Sequence, residues 1–385
     1  MGAPHIGGAS VQRIRINVPV GAYTFEVGPE LLKTLSKRLE SLTSGPISQT
    51  FVITSPDIWR IWSESFLGSF AGGPAPIPLF VNGGETQKRL ASVERLAEQL
   101  HGAGADRNSL LLAFGGGVVG DITGFLAAIY MRGISYVQIP TTLLAQVDSS
   151  VGGKTGVNLC AGKNLIGSFH HPLAVLADTT TLSTLPPREL RAGMQEVVKA
   201  AIIRSPQLFA YLDRNRDALL NPVHLQHHTA ITRVVVSSVR IKAAVVAADE
   251  RESGVRMILN FGHTIGHAIE AETGYSQLLH GEAVAWGSVA ATHLSLARGT
   301  LSKKDGGRIE QAILRYGPLP RFGSTATRLV ELTTGDKKRR SGTRAFVVPT
   351  GIGKVEVVRD VTDAELVAAT DSMLSLMRER GTGEV

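Results

Sequence analysis

The chain of 385 residues has one cysteine, Cys160, which rules out an internal disulfide and any cysteine-rich zinc module. Aromatic residues make up only 5%, so the formal charge of +7 lacks the interleaving of basic and aromatic side chains that nucleic-acid binding uses. The one tight basic cluster is Lys337, Lys338, Arg339 and Arg340. No apolar run approaches the roughly 20 residues that cross a bilayer, and MGAPHIGGAS has no signal-peptide core; a cytoplasmic protein with no membrane partner is expected. HExxH is missing too, which argues against a zincin protease. What is present is 43% hydrophobic residues with interspersed charge, on a chain longer than one comfortable core, so two domains are expected. Isolated cations in separate motifs suit an enzyme with an anionic substrate.

The densest stretch is RMILNFGHTIGHAIEAETGYSQLLHGE, from Arg256 to Glu282. A helix from Arg256 to about Glu270 puts Arg256, Asn260, His263 and His267 on one face, with Ile258, Leu259, Ile265 and Ala268 opposite. A single helical histidine usually has a structural role. Here His263 and His267, four apart, can both reach one ion or one anion, and His280 follows a short loop later, which is a metal-site pattern.

Upstream, residues 12–27 alternate around a Val-Gly turn and predict a hairpin at a sheet edge. Phe51 to Thr54 reads as a buried strand entering a helix through Ser55 and Pro56, and PIPLFVNGGE as another strand ending in a Gly-Gly loop. Strands alternating with helices imply a parallel sheet with ligands at the strand C-termini, so this half is a nucleotide-binding candidate. SLLLAFGGGVVGD places Gly115, Gly117 and Gly120 between an apolar strand and a helix, where backbone N–H groups can approach a pyrophosphate. Gln138 and Ile139 stand where a standard Rossmann turn expects an acid. Asp121, placed in the first turn of that helix, is either an acid favoured by the helix dipole or a partner for a carboxamide or hydroxyl.

The stretch from Thr141 to Pro172 reads as too polar for core. Lys154 follows a Gly-Gly, and Lys163 precedes Asn164 in a second glycine turn; this is either a surface loop or a phosphate site. From about Thr184 the pattern turns helical, and Glu196 and Lys199 share a face. They form a surface ion pair, or else the carboxylate completes the two histidines as a metal ligand.

The strings GGGVVGD, IPTTLLAQVDSSVGGKTGVN, GKNLIGSFHHP, TLPPREL, GMQEVVK, DERESGVRMILNFGHTIGHAIE, LLHGEAVAWG and DKK occur in that order. With them the chain resembles the 3-dehydroquinate synthases of the sugar phosphate cyclase family over nearly its whole length. The resemblance implies an α/β N-terminal NAD-binding domain with a largely parallel sheet, residues 1–183, and a mostly α-helical C-terminal metal- and substrate-binding domain, residues 184–385. It implies one divalent ion, zinc or cobalt, on Glu196, His263 and His280, and moves His267 from the metal to the substrate phosphate. Phosphate would also meet Lys154, Asn164 and Lys337 or Lys338, with Arg132 reaching in from the other subunit of a homodimer. The substrate carboxylate would fall to Lys242 and Arg256 with Asn260 nearby, while Asp148 and Glu252 touch hydroxyls or orient lysines. NAD would be met by Gly115, Gly116, Gly117 and Val119, with Glu85, Lys88, Asp121, Thr141, Thr142, Lys154, Lys163 and Thr184 around it. Lys154, Lys199, Glu252, Asn260 and His267 are the implied catalytic groups. Ser55 stands where relatives often place an acid or amide for the adenine ribose, and His171 where Gln is common.

The implied reaction converts 3-deoxy-D-arabino-heptulosonate 7-phosphate to 3-dehydroquinate and phosphate, in the shikimate pathway, by transient NAD oxidation, phosphate elimination, re-reduction and intramolecular aldol closure. On this reading, loss of Arg256 lowers kcat/KM with little loss of fold stability. A glycerol dehydrogenase would show net NADH production and have no use for phosphate lysines. A sister cyclase making a valiolone or an inosose acts on a substrate without the carboxylate that Lys242, Arg256 and Asn260 would serve. A non-enzymatic anion-binding module leaves a three-ligand metal site unexplained.

Overall fold

The computed structural model describes residues 10–19, 21–43, 45–160, 162–221, 225–252, 254–333 and 345–384, so Lys337 and Lys338 lie outside the described residues. Two compact units emerge: Met1–Pro186 with Asn221–Ala243, and Pro187–Leu220 with Ala244–Val385. A single cut after residue 183 does not describe them, because Asn221–Ala243 groups with the first unit.

The first unit contains β1 (Gln12–Val18), β2 (Gly21–Gly28), α1 (Leu35–Leu42), β3 (Thr50–Thr54), α2 (Pro56–Gly68), β4 (Ile77–Phe80), α3 (Leu90–Gly102), β5 (Leu110–Gly115), α4 (Gly117–Ile129), β6 (Ser135–Pro140), β7 (Lys154–Leu159), β8 (Gly162–Phe169) and β9 (Ala174–Asp178). Seven strands form one sheet in the order β1-β2-β9-β6-β5-β3-β4. Only the edge hairpin β1–β2 is antiparallel. The central strands are apolar on both faces because both faces are covered. Phe51, Ile53 and Leu111 pack into one core with Val119 and Leu126 of α4, while Val52, Leu110 and Leu112 pack into the other with Leu35 and Phe66. Ser55 caps α2 by accepting from the Ile58 N–H at 3.4 Å, with Pro56 in the first helical turn. After β4 the chain returns to the other side of β3 to form β5. That reversal opens a crevice beyond the carboxyl ends of β3 and β5, where the Gly115–Gly117 loop lies.

The lysine stretch is not a loop. β7 and β8 pair as an antiparallel hairpin, and Thr155, Val157 and Asn158 are buried. The strands approach so closely that a Cβ on Gly167 would lie 2.2 Å from the Thr155 carbonyl oxygen. The polar residues inside β7 reflect hydrogen bonding and close backbone contact, while Lys154 and most of β8 are exposed or half-buried.

The second unit comprises α5 (Pro187–Arg204), α6 (Pro206–Arg214), α7 (Arg216–Leu220), the end of α8 (Leu225–Ala248), α9 (His263–Glu272), α10 (His280–Ala297), α11 (Lys303–Arg315), α12 (Ala326–Leu332) and α13 (Asp363–Arg380). Two small strand pairs accompany them: β10 (Pro320–Arg321) with β13 (Thr382–Glu384), and β11 (Phe346–Gly351) with β12 (Lys354–Val358). α10 is the central element, rich in alanine and glycine and buried along most of its length, with Trp286 fully buried and donating to the Pro320 carbonyl at 2.9 Å. No helix among the described residues is long and apolar enough to cross a membrane.

The continuous helix expected from Arg256 to Glu270 is interrupted. Val255–Asn260 is a 3-10 helix, Gly262 has φ 78°, and α9 starts at His263. Gly262 lies against α10, where a Cβ would be 2.2 Å from the Ser288 Oγ and 2.8 Å from the Val284 carbonyl oxygen. The break is therefore set by tertiary packing and a left-handed residue that only glycine adopts easily.

Candidate functional site

In the second unit, α5, α9 and α10 converge. α10 begins at His280, and a Cβ on Gly281 would come within 2.0 Å of the Ala192 carbonyl oxygen, so the start of α10 rests backbone to backbone on α5. On the other side a Cβ on Gly287 would lie 2.0 Å from the Gly262 carbonyl oxygen, which brings α9 equally close. As a result Glu196, His263 and His280 offer one oxygen and two imidazole nitrogens that all lie within 4.8 Å of one another.

The chemistry of these groups fits a divalent ion. Glu196 is 2% exposed, and neither of its carboxylate oxygens accepts a well-aligned hydrogen bond among the described residues, although Lys199 is its close ion-pair partner and His280 Nε2 lies 3.7 Å away. That pair is buried on both sides, not a surface ion pair. Burial, with Lys199 and the neighbouring imidazoles, pushes His263 well below its ordinary pKa and keeps it in the neutral form that ligates metal. Burial also acts to lower His280, but the hydrogen bond its ring donates to Glu270 and the charges of Glu270 and Glu196 outweigh it and raise its pKa. His280 Nδ1 is 3.2 Å from the buried Glu270 carboxylate, an arrangement that fixes the ring and leaves Nε2 facing Glu196. A second group, His267, Glu270 and His280, meets the same distance limit, but His267 is exposed. The ring centroids of His263 and His267 are 5.2 Å apart, as are those of His263 and His280.

Arg256 and Asn260 sit on the 3-10 helix before this cluster. Arg256 is 3% exposed; its guanidinium donates to the Glu250 carbonyl, and its N–H donates to Asp249 at 3.0 Å. It therefore also holds the segment 249–256 together, and the expectation that its removal spares the fold is revised. Asn260 donates to Glu252, a residue with φ 61°.

In the first unit, α4 starts at Gly117 with no side-chain cap, so its leading N–H groups remain available to an anion. A Cβ on Gly115 would clash with Val119 at 2.7 Å, and one on Gly117 would approach Ser149 Oγ to 3.0 Å. Val119 is buried core, so any part it plays at the loop comes through its backbone. Asp121 falls in the second turn, not the first, because the helix begins earlier than its glycines suggest, at Gly117. It pairs with buried Lys88 at 2.6 Å, and its own burial, only partly offset by Lys88, raises its pKa. Lys88 also donates to Asn164. Asn158 accepts from the Asn164 N–H and donates to Glu85, both at 2.8 Å. Glu85, Lys88, Asp121 and Asn164 thus belong to one network. Asn158, its connector, was not singled out from sequence, where it is one polar residue among several in Lys154–Leu159.

Thr142 accepts from the Ala145 N–H at 3.2 Å, and the buried Thr141 hydroxyl has no hydrogen-bond partner among the described residues. Gly116 contacts the Thr142 methyl, where a Cβ would lie 3.1 Å away. Thr184 accepts from the Trp62 indole at 3.0 Å. Lys242 donates to the Asp148 carboxylate and carbonyl, both at 2.7 Å. Lys154 is exposed at the start of β7, Lys163 is half-buried on β8, and Arg132 is exposed with φ 68°.

Comparison with known proteins gives a consistent family. Residues 78–192 match the 3-dehydroquinate synthase N-terminal family and residues 193–339 the 3-dehydroquinate synthase C-terminal family. A 3-dehydroquinate synthase of Solibacter usitatus is 51% identical over 85% of this chain and 90% of its own length. Among solved structures, the 2-epi-5-epi-valiolone synthase of Streptomyces hygroscopicus, with NAD+ and Zn2+ bound, has a TM-score of 0.83 at 27% identity, covering 95% of this chain and 100% of that one. A 2-deoxy-scyllo-inosose synthase complexed with carbaglucose-6-phosphate, NAD+ and Co2+ has a TM-score of 0.79 at 27% identity, covering 94% and 99%.

Proposed function

The chain belongs to the 3-dehydroquinate synthase family, and from that premise we propose that it converts 3-deoxy-D-arabino-heptulosonate 7-phosphate to 3-dehydroquinate and phosphate in the shikimate pathway. The observation that carries this reading is the cluster of buried Glu196 with half-buried His263 and His280, which would hold the divalent ion, zinc or cobalt. NAD is assigned to the Gly115–Gly117 loop and its network in residues 1–183, and metal and substrate chiefly to residues 184–385. When bound, NAD supplies reversible hydride acceptance and the ion supplies Lewis acidity toward the substrate hydroxyls.

The side chains are left with positioning and charge. Glu196 contributes the anionic donor and Lys199, its ion-pair partner, balances it; Lys199 is also assigned the negative charge developing on a substrate oxygen. His267, Lys154, Asn164 and one of Lys337 and Lys338 are assigned the phosphate, with Arg132 supplied by the second subunit of a homodimer. Its exposed position on a left-handed residue is consistent with that reach. Lys242 and Arg256 are assigned the carboxylate; Asp148 orients the first, and Glu252 orients Asn260. The departing phosphate takes up the proton from the adjacent carbon, so the protein mainly holds two anionic ends at fixed distances. The chain is assigned to the cytoplasm.

Phosphate release from the heptulosonate phosphate with NAD and zinc tests the reading, with glucose 6-phosphate, which has no carboxylate, as the comparison. Turnover of the first alone is expected. Preference for the second would assign the chain to a sister cyclase activity.

A further inference from the structure

Arg188, Arg191 and Gln195 recur at helical spacing along α5, one position round from Glu196. This stripe lines a cavity of about 280 Å³ whose other walls include Glu282 of α10, Tyr316 and Leu319. None of the roles assigned above uses it.

Its polar groups are unevenly satisfied. Arg188 is committed: Nε and Nη2 donate to the two Glu282 oxygens at 2.7 and 2.8 Å, and Nη2 also donates to the Gln277 carbonyl at 2.8 Å. Among the described residues Arg191 has no such counter-charge, and its buried Nε finds no acceptor. Gln195 is 3% exposed, and its amide orientation is fixed because Nε2 donates to the Ile313 carbonyl at 3.1 Å. That leaves Oε1 as a buried acceptor without a donor. Tyr316 spends its hydroxyl on the Leu212 carbonyl at 2.8 Å, so toward the cavity it offers its ring.

Orphaned donors and acceptors of this kind are uncommon in folded proteins, and two of them on one helix face beside the same cavity describe a complementary ligand. We propose that the cavity is a second binding site, for a small α-amino or α-hydroxy carboxylate with an apolar side chain. The carboxylate pairs with Arg191, the adjacent ammonium or hydroxyl donates to Gln195 Oε1, and the side chain packs on Tyr316 and Leu319. An unprotonated inorganic anion such as sulfate would serve Arg191 and leave Gln195 unsatisfied, while a hydrocarbon would serve neither. The occupant would touch both α5 and α10, which carry Glu196 and His280.

Calorimetric titration of the full chain, with NAD and zinc present, tests this with four probes of one shape: leucine, 2-hydroxyisocaproate, 4-methylpentanoate and isoamylamine. Leucine or 2-hydroxyisocaproate is expected to bind saturably at one site, the better of the two identifying the donor. 4-Methylpentanoate, which has no donor for Gln195, is expected to bind at least tenfold more weakly, and isoamylamine not at all. Arg191→Met should weaken the better ligand tenfold or more without lowering the melting temperature, since no described bond is lost; Arg191→Lys should retain part of the affinity. Absence of saturable binding by either substituted acid up to about 1 mM would overturn the proposal and leave the cavity to water. So would affinity unchanged in Arg191→Met.

Discussion

Gly281→Ala probes how the second unit builds its candidate metal centre. The added methyl would sit 2.0 Å from the Ala192 carbonyl oxygen, 2.6 Å from its carbonyl carbon and 2.9 Å from its Cα, all backbone atoms, whereas ordinary contact begins near 3.4 Å. No side chain can turn aside, so α10 must move away from α5 by roughly 1 Å or more, and overpacking of this kind costs about 1–3 kcal/mol. The movement falls at the worst place. His280 is the neighbouring residue and Glu196 lies one turn along α5 from Ala192, so the separation of two candidate ligands changes directly. Metal–ligand distances tolerate about 0.2 Å, and zinc affinity is expected to fall at least tenfold. The assay is competition against a chromogenic chelator, alongside thermal melts with and without zinc. Gly307→Ala is the control: that glycine lies within α11 with nothing within 4 Å of its added methyl, so the substitution should stabilise by about 0.5–1 kcal/mol and leave zinc binding alone. If Gly281→Ala bound zinc and melted like the unaltered protein, the close packing of α5 on α10 would not be what sets the cluster.

Glu270→Gln keeps the side-chain shape but removes the charge behind His280, and metal affinity should drop about tenfold to a hundredfold in the same competition assay; no change would deny Glu270 its orienting part. Arg256→Ala should lower kcat/KM by an amount equivalent to about 1.5–3 kcal/mol or more and, because the buried guanidinium bonds Glu250, should also lower the melting temperature. Normal turnover would remove Arg256 from the substrate site. Arg298 donates to Glu365 at 2.9 and 3.0 Å and holds its carboxyl down at about 2, below the ordinary 4.5. The stabilisation is therefore complete above pH 4.5 and fades as the pH falls toward 2, so the melting-temperature gap between the protein and Arg298→Leu should close over that range. A gap that stayed constant would contradict the pairing.

Local signals were legible where one segment decides its own structure. The apolar runs of β3 and β5 and the Ser55 cap need no distant partner, and each appears where its residues predict, whereas α4 starts at Gly117 and takes in two of the three glycines expected before it. Periodicity failed where a second element intervenes: Gly262 breaks the expected helix because α10 passes against it, and nothing between Arg256 and Glu270 reports that. The same blindness kept His267, the nearest histidine in sequence, with His263 and His280 as a metal ligand until the family resemblance assigned it to the substrate phosphate. Glu270 was missed although it lies three residues after His267, because its partner is on another helix. The β7–β8 hairpin misled in part, since Thr155 and Asn158 are spent on internal hydrogen bonds while Lys154 stays exposed. The grouping of Asn221–Ala243 with the first unit has no local signature at all.

The account rests most heavily on a reaction that borrows a hydride and gives it back. One experiment follows both quantities at once: the purified chain is mixed with the heptulosonate phosphate, NAD and zinc, while released phosphate and absorbance in the NADH band are recorded together. Phosphate rising in proportion to substrate consumed, with no accumulating NADH, is the expected result. NADH building up with turnover, or substrate left intact with its phosphate in place, would contradict it.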